Sequence, residues 1–142
     1  MRIKRLVSAG LLAAMVTMSV GTVAQAYNNN TYYGEYQFSD FAEPQVTSYE
    51  NKDTRTSISI GYIFGYSQYD TRMNFEVMGA SDNNGSGAQD VSDKWSYVMT
   101  PGESRGDIYN YVNEWGYNYA AIRISTMGDR AVSMGMNFRL DN

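Results

Sequence analysis

The sequence predicts an all-β protein: a single antiparallel β-sandwich, immunoglobulin-like or jelly-roll-like, that follows an N-terminal signal peptide. Three observations lead to this prediction. Several segments of strand length alternate apolar and polar residues with a period of two, which is the pattern of a half-buried strand. Turn-forming Gly, Pro, Asn and Asp residues separate these segments. No long amphipathic run with the helical period accompanies them.

The first 26 residues have the layout of a secretory signal peptide. Basic residues open the chain, an uncharged run covers residues 6–23, and Ala24-Gln25-Ala26 provides a small-x-small cleavage site. We expect cleavage after Ala26, so that the mature chain, residues 27–142, is secreted and extracellular. An uncleaved membrane anchor is the alternative, but Ser, Gly and Thr interrupt the apolar run and make it a weak spanning segment.

The mature chain divides into a polar N-terminal segment, residues 27–53, and a sandwich domain, residues 54–142. The N-terminal segment contains one candidate short strand, residues 34–38. Within the sandwich domain, alternating apolar residues predict strands at residues 54–66, 71–80, 91–100, 119–126 and 130–140.

The inward phase of these strands predicts the core of the sandwich. Side chains on that phase are apolar, whereas most of those on the opposite phase are polar or small. The predicted core residues are Ile58, Ile60, Phe64, Phe75, Val77, Trp95, Ile122, Ile124, Met136 and Phe138.

Residues 106–117 fit both a helix and a strand. Ile108, Tyr111 and Trp115 lie at helical spacing, and Asp107 suits the cap of a short helix. The shortness of the segment and its Tyr content favour a strand or an irregular crossover.

The composition excludes several functional classes. The chain has no Cys and no His, which excludes disulfides, thiolate metal sites, His-based zinc and copper sites and a Ser-His-Asp triad. The signal takes three of the 11 basic residues and none of the 15 acidic ones, so the mature chain carries a formal charge of −7. Because an acidic domain repels phosphate backbones, no nucleic-acid partner is predicted. Membrane contact is expected only from the signal peptide during export.

Residues 82–93 have the spacing of a calcium-binding loop. Oxygen-bearing side chains occupy positions one, three, five, nine and twelve of this stretch, and Gly87 occupies position six, where such a loop bends sharply. The alternative is a flexible hairpin loop rich in Asn, Gly and Ser. No cofactor other than calcium is predicted. The predicted metal ligands are Asp82, Asn84, Ser86, Asp90 and Asp93.

Aromatic residues are concentrated in the mature chain, which contains all 13 Tyr and both Trp residues. Tyr combines an apolar ring with a polar tip, which suits stacking on sugars and contact with proteins. The alternative is that strand aromatics fill the core, and this is the prediction for Tyr62, Tyr66 and Trp95. A binding surface is predicted for the later cluster, formed by Tyr109, Tyr111, Trp115, Tyr117 and Tyr119.

Three acidic residues are candidates for acid/base chemistry on a polysaccharide, as an Asp107–Glu114 pair or a Glu103–Asp107 pair. Such acids also occur on the solvated surface of any acidic β-sandwich, and the sequence gives no distance between them. No catalytic residue is therefore predicted, and the protein is not expected to be an enzyme.

The second half of the chain resembles small uncharacterised secreted all-β proteins of Gram-positive bacteria. A Gly/Ser loop, residues 109–115, the segment YAAIRIS and the last strand AVSMGMNF carry the resemblance. The chain departs from these proteins in its long polar N-terminal segment and in lacking a Trp near the C-terminus. The resemblance implies a signal peptide followed by one all-β domain, and it implies no activity or site residue.

The leading functional prediction is a secreted, non-catalytic bacterial β-sandwich that binds an extracellular partner, a protein or a glycan, or interacts with a cell surface. A bacteriocin-like effector or signalling protein is one alternative, and a carboxylate-dependent polysaccharide-acting enzyme is another. A small outer-membrane β-barrel is the weakest alternative, because the outward faces of the predicted strands carry charged residues.

Overall fold

The structure, a computed structural model, describes residues 30–128 and 130–141. The predicted signal peptide, residues 1–26, lies outside the described residues. The strands of the described chain are β1 Tyr32–Phe38, β2 Gln45–Val46, β3 Glu50–Asn51, β4 Ile58–Tyr66, β5 Met73–Ala80, β6 Gln89–Asp90, β7 Tyr97–Met99, β8 Ser104–Ile108, β9 Tyr119–Thr126 and β10 Val132–Arg139.

These strands form two antiparallel sheets. One sheet has four strands in the order β1-β10-β4-β8. The other has six strands: β2-β9-β5-β6 run in order, β3 also pairs with β9, and β7 also pairs with β5. Neither sheet closes on itself, and the described residues include no helix. The all-β, sandwich-like fold predicted from the alternation is confirmed.

No helix in residues 30–128 or 130–141 is long and apolar enough to cross a membrane.

One apolar core contains residues from both sheets. Ile58 and Ile60 of β4 and Phe138 of β10 face it from the four-stranded sheet, and Phe75 and Ile122 face it from the six-stranded sheet. All of them are buried, and burial of an aliphatic or aromatic side chain contributes about 1.5–3 kcal/mol. The predicted core is buried at every position except two: Phe64 is half-buried and Trp95 is exposed.

A bulge in β4 explains why Phe64 leaves the core. Tyr62 lies opposite Met136 of β10 and Phe64 lies opposite Gly135, so the intervening residue, Ile63, is the extra residue on β4. An extra residue reverses which face the following side chains occupy. Ile63 is consequently exposed, and Phe64 moves toward the outer face of the sheet.

The same bulge corrects the prediction that Tyr66 is a core residue. Beyond Ile63 the inward position passes to Gly65, which pairs with the buried Met134, and Tyr66 becomes an exposed side chain on the outer face. A Cβ atom on Gly65 would collide with the Tyr62 hydroxyl, so only glycine fits this inward position. Ile63 is the one departure from the alternation, since Tyr62, Ile63 and Phe64 are three consecutive apolar residues, and it is the residue that the bulge inserts.

The sandwich also includes strands from the polar segment that the sequence placed before it, residues 27–53. The whole of β1 pairs with β10 in the four-stranded sheet, and both β2 and β3 pair with β9 in the other. Tyr32 and Tyr36 pack against the core, and the Tyr32 ring stacks on Phe138 at a centroid distance of 5.1 Å. The sandwich therefore extends N-terminal to residue 54, because tyrosine rings supply the apolar face of β1.

Candidate functional site

The ambiguous segment at residues 106–117 divides into a strand and a turn. It begins as the end of β8, and the chain then makes one turn of helical hydrogen bonding. The Trp115 N–H donates to the Tyr111 carbonyl at 2.9 Å, and the Tyr117 N–H donates to the Val112 carbonyl at 2.9 Å. Gly116 closes the turn with φ 83°, the left-handed conformation that favours glycine at a helix end. The helical and strand signals of the sequence both describe part of the segment.

Contacts on three sides hold this turn against the sandwich. Val112 is fully buried beneath it. The Asn113 side-chain amide donates to the Lys52 carbonyl at 3.0 Å, which joins the turn to the loop after β3. The Tyr111 N–H donates to the Val91 carbonyl at 2.9 Å. The turn is therefore a fixed part of the structure.

A short ladder joins the segment before the turn to the segment after β6. Ser92 and Asn110 form an antiparallel bridge, and the Asp93 N–H donates to the Tyr109 carbonyl at 3.1 Å. The Tyr111 hydroxyl donates to the Asp93 carboxylate at 3.2 Å, and this hydrogen bond raises the pKa of Tyr111. These contacts hold the two segments side by side.

Four aromatic side chains are exposed on these two segments, and we call them the platform: Trp95, Tyr109, Tyr111 and Trp115. Their exposed fractions are 95%, 60%, 40% and 56% in that order. The Tyr111 and Trp115 rings stack at a centroid distance of 5.7 Å with only 9° between their planes. The helical turn produces this stack, because residues four apart lie on the same side of a helix.

Two of the five predicted binding residues lie outside the platform. The Tyr117 ring packs over the backbone of Gly79 and against the core. Tyr119 is half-buried on β9, opposite Ala80 of β5. The structure thus exposes Tyr109, Tyr111 and Trp115 together and uses the other two tyrosines for packing.

Trp95 is the platform residue that the sequence assigned to the core instead. The predicted strand at residues 91–100 is interrupted, since β7 begins only at Tyr97 and the chain bends at residues 93–95. The Asp90 carboxylate accepts the Ser92 N–H at 3.0 Å, which is an Asx turn and ends the strand. The three consecutive polar residues Ser92, Asp93 and Lys94 are the sequence signal of this break, and the alternation on either side of them hides the signal.

A hollow of about 260 Å³ lies beside Trp95. Its lining is polar apart from the indole ring, and it includes Asp90, Ser92, Asp93 and Lys94. Carboxylate, hydroxyl and ammonium groups therefore border the indole ring of Trp95. This combination suits a ligand that has both apolar faces and hydroxyl groups.

The predicted calcium ligands have other partners in the structure. Asp82 accepts the N–H groups of Asn84 and Ser86 at 2.9 and 3.0 Å, and the hydrogen bonds from Ser86 lower the pKa of Asp82. Asp90 accepts from Ser92 and lies 3.5 Å from the Arg123 guanidinium, and Asp93 accepts from Tyr111.

Within residues 30–128 and 130–141, no three or more acidic side chains group together in a way that could hold a metal ion. The bend expected at Gly87 is present, with φ 63°. Calcium binding by the loop stays a prediction.

The candidate catalytic acids also have separate partners. Asp107 pairs with Arg105 at 3.2 Å on the surface of β8, and the hydrogen bond from Arg105 lowers the pKa of Asp107. The Glu103 carboxylate accepts the Thr100 N–H at 2.6 Å and so closes the turn before β8. Glu114 lies on the exposed side of the turn at residues 111–117. These contacts stabilise turns and strand surfaces, and they give an acid/base role no support.

No protein-family model, no curated protein and no solved structure matches this chain. The resemblance to small secreted all-β proteins stays a prediction. The inference of function therefore depends on the chemistry of the platform and the hollow beside it.

Proposed function

We propose that this protein is a secreted, non-catalytic binding protein whose platform engages a neutral glycan outside the cell. The exposure of Trp95, Tyr109, Tyr111 and Trp115 on two segments that are joined by the Ser92–Asn110 bridge is the observation that carries the proposal. Large aromatic side chains are normally buried to a high degree, and a cluster of exposed ones is typical of an interaction surface. Trp95 in particular is 95% exposed, so almost none of its apolar area is buried in the free protein.

The chemistry around the platform favours a sugar as ligand. A sugar ring has apolar C–H faces that stack on flat aromatic rings, and its hydroxyl groups both donate and accept hydrogen bonds. The indole and phenol rings provide the flat surfaces. Asp93 and Lys94, in the hollow beside Trp95, provide an acceptor and a donor at their edge.

The electrostatics favour a neutral glycan over an anionic one. The mature chain has a formal charge of −7, and the Asp90 and Asp93 carboxylates lie with Lys94 in the hollow beside Trp95. An anionic ligand would approach against this potential. A neutral sugar has no such penalty.

The platform is preorganised, which lowers the entropic cost of binding. The buried Val112, the hydrogen bond from Asn113 to the Lys52 carbonyl and the closing Gly116 fix the turn that bears Tyr111 and Trp115. The stacked pair therefore has little side-chain freedom to lose when a ligand covers it.

Tryptophan fluorescence tests the proposal directly, because both Trp residues of the chain belong to the platform. Neutral oligomers of glucose, mannose, xylose and N-acetylglucosamine would be titrated into the purified protein. We expect saturable fluorescence changes with at least one of them. Trp95→Ala and Trp115→Ala should each weaken binding by ~10-fold or more, the size of effect expected of an interface hot spot.

Tyr33→Ala is the matched control, because Tyr33 is an exposed aromatic residue on β1, outside the platform. It should bind as the unchanged protein does. No fluorescence change with any oligomer, or normal binding by both Trp variants, would refute the glycan proposal. A protein partner is the second candidate, since Trp and Tyr are over-represented among the residues that dominate interface energies. It predicts loss of partner binding in the same two variants.

A further inference from the structure

A second aromatic-rimmed cleft lies at the opposite end of the sandwich. It has a volume of about 390 Å³ and is formed where β1 and β4 end and β10 begins. Its lining includes Asp40, Tyr66, Gln68, Tyr69 and Ser133. We call this space the end cleft.

The register of β4 places the end cleft far from the platform. Ile58, the first residue of β4, pairs with Ile108, which directly precedes the platform residue Tyr109. Tyr66, the last residue of β4, lines the end cleft. The nine residues of β4 span about 27 Å at the ordinary rise per residue. One strand length therefore separates the two surfaces, and a single sugar residue cannot contact both.

The walls of the end cleft are held together through one residue, Ala131. Its N–H donates to the Asp40 carboxylate at 2.9 Å, and its carbonyl accepts the Ser67 hydroxyl at 2.9 Å. The Ser67 hydroxyl oxygen in turn accepts the Tyr69 N–H at 3.2 Å. Segments that are distant in sequence are fixed relative to one another, so the cleft is a preformed feature of the fold.

The two tyrosine rings at the rim are exposed but held in position. Tyr66 is 70% exposed, and its ring contacts that of Phe64 at a centroid distance of 5.4 Å. Tyr69 is 64% exposed, and the Arg130 guanidinium lies 4.6 Å from its ring centroid. A contact of this kind with a cation restrains a ring at a solvent-exposed site. Each tyrosine therefore presents an apolar face that a ligand can cover.

We propose that the end cleft is a second carbohydrate site, which takes one neutral sugar residue of a glycan. Its volume lies at the lower end of the range of about 300–1,000 Å³ for small-molecule sites, which suits one small ring. The rings of Tyr66 and Tyr69 offer stacking faces. The Gln68 amide and the Ser133 hydroxyl can donate and accept, and the Asp40 carboxylate accepts, as sugar hydroxyls require.

The lining also argues against two other ligand classes. A purely apolar ligand would displace water from the Gln68 amide and the Ser133 hydroxyl without replacing its hydrogen bonds. A phosphate or carboxylate ligand would meet Asp40 inside the cleft as well as Arg130 at its rim, so these opposite charges give it no net attraction. A neutral sugar can form hydrogen bonds with the polar groups and needs no charge attraction.

The end cleft is independent of the platform, and the proposal goes beyond the function proposed above. With a sugar site at each end, one chain joins two glycan strands. A monomer of this kind would agglutinate glycan-coated beads without forming a dimer.

Nuclear magnetic resonance of the ¹⁵N-labelled protein tests the end cleft, because backbone amides report on each end separately. Glucose, mannose, xylose and N-acetylglucosamine and their oligomers would be the probes. We expect saturable shifts of the Gln68, Tyr69, Ala131 and Ser133 amide signals. A Tyr66→Ala/Tyr69→Ala double variant should weaken this binding by ~10-fold or more. Both positions are exposed, and the unchanged remainder of the spectrum would show that the variant is folded.

A Trp95→Ala/Trp115→Ala variant is the matched control, and its end-cleft amides should still shift with the same affinity. Absence of shifts at the end cleft with every probe, or equal shifts in the double tyrosine variant, would overturn the proposal. Shifts confined to the platform overturn the second site and leave the function proposed above in place. Shifts confined to the end cleft support the second site and refute the platform as a glycan site.

Discussion

Lys52 and Asp141 form an ion pair that is buried on both sides. The Lys52 ammonium donates to the Thr56 carbonyl at 2.8 Å, to the Leu140 carbonyl at 2.7 Å and to the Asp141 carboxylate at 3.2 Å. An ammonium has three donors, and each of them has an acceptor here. A buried ion pair recovers its desolvation cost only when the remaining hydrogen-bonding capacity is also used, and this pair meets that condition.

The Asp141 carboxylate, like the Lys52 ammonium, has several hydrogen-bond partners. It accepts the N–H groups of Asp53 and Thr54 at 3.1 Å each and the Thr54 hydroxyl at 2.6 Å. Burial raises the pKa of Asp141, but the hydrogen bonds from Thr54 and Asp53 and the charge of Lys52 outweigh burial, and the net pKa is lowered from its ordinary value of 3.8. Burial also lowers the pKa of Lys52, and the charge of Asp141 opposes that effect.

Asp141→Asn should lower the free energy of unfolding at pH 7 by about 3–5 kcal/mol, because it leaves the Lys52 charge buried and unpaired. The folded-state pKa of Asp141 is lowered, so its contribution is present above pH 3.8 and is lost as the pH falls through the folded pKa. The difference in the free energy of unfolding between the unchanged protein and Asp141→Asn should therefore narrow below pH 3.8. Urea unfolding at pH 7 and at acidic pH measures it.

Asp53→Asn serves as the control for this experiment, because Asp53 is an exposed acid next to Lys52 in sequence. It should change stability little at either pH. A loss for Asp141→Asn that is the same at both pH values would contradict the assigned role of the carboxylate.

At the scale of single elements, the bulge in β4 decides what the outer face of the four-stranded sheet displays. Ile63 is the extra residue, and the side chains after it change faces. The Phe64 ring then covers the backbone of Gly135 on the neighbouring strand, and a Cβ atom there would clash with the ring. Tyr66 takes its position at the rim of the end cleft for the same reason. One inserted residue thus creates half of the aromatic rim.

The loop between β5 and β6 is closed by its own backbone hydrogen bonds. The Ser81 N–H donates to the Ser86 carbonyl, the Gly85 N–H to the Asp82 carbonyl and the Ala88 N–H to the Gly85 carbonyl, each at 3.2 Å. Asp82 contributes two further hydrogen bonds to this turn through its carboxylate. These hydrogen bonds define the shape of the loop.

Calcium binding by this loop predicts a melting temperature that rises with calcium concentration, since a ligand of the folded state stabilises it. Asn84→Ala removes a predicted ligand and leaves the Asp82 turn intact, so it should reduce the rise without changing stability in chelator. Asp82→Ala should both reduce the rise and lower the melting temperature in chelator, because it also removes the hydrogen bonds of the Asp82 carboxylate. Gln89→Ala, at a position that supplies no predicted ligand, is the control. If millimolar calcium gives neither a thermal shift nor calorimetric heat, the loop is a plain hairpin connection.

At the scale of the whole molecule, export with cleavage after Ala26 is expected to leave the sandwich complete. Of the described strands, β1 begins first, at Tyr32, so cleavage after Ala26 leaves every described strand intact. N-terminal sequencing or mass spectrometry of protein from the culture medium should give a chain that begins at Tyr27. A chain that begins at Met1 and stays with the cells would contradict the prediction.

The sequence by itself determined the all-β class and most of the core. In a strand, successive side chains point to opposite faces, so the alternation that buries Ile58, Phe75 and Ile122 is visible within a few residues. It also indicated the aromatic surface at Tyr109, Tyr111 and Trp115, because these residues are close in sequence. Features of this kind depend on local backbone geometry, so a short stretch of sequence is enough to predict them.

The tertiary structure alone decided which aromatic side chains are exposed and which charges are buried. Trp95 and Tyr66 follow the inward phase of their segments, but a bend before β7 and a bulge opposite β10 turn both outward. Lys52 and Asp141 are brought together from opposite ends of the sandwich sequence. These outcomes depend on how strands that are far apart in the chain pair with one another. No local sequence pattern specifies the register of that pairing.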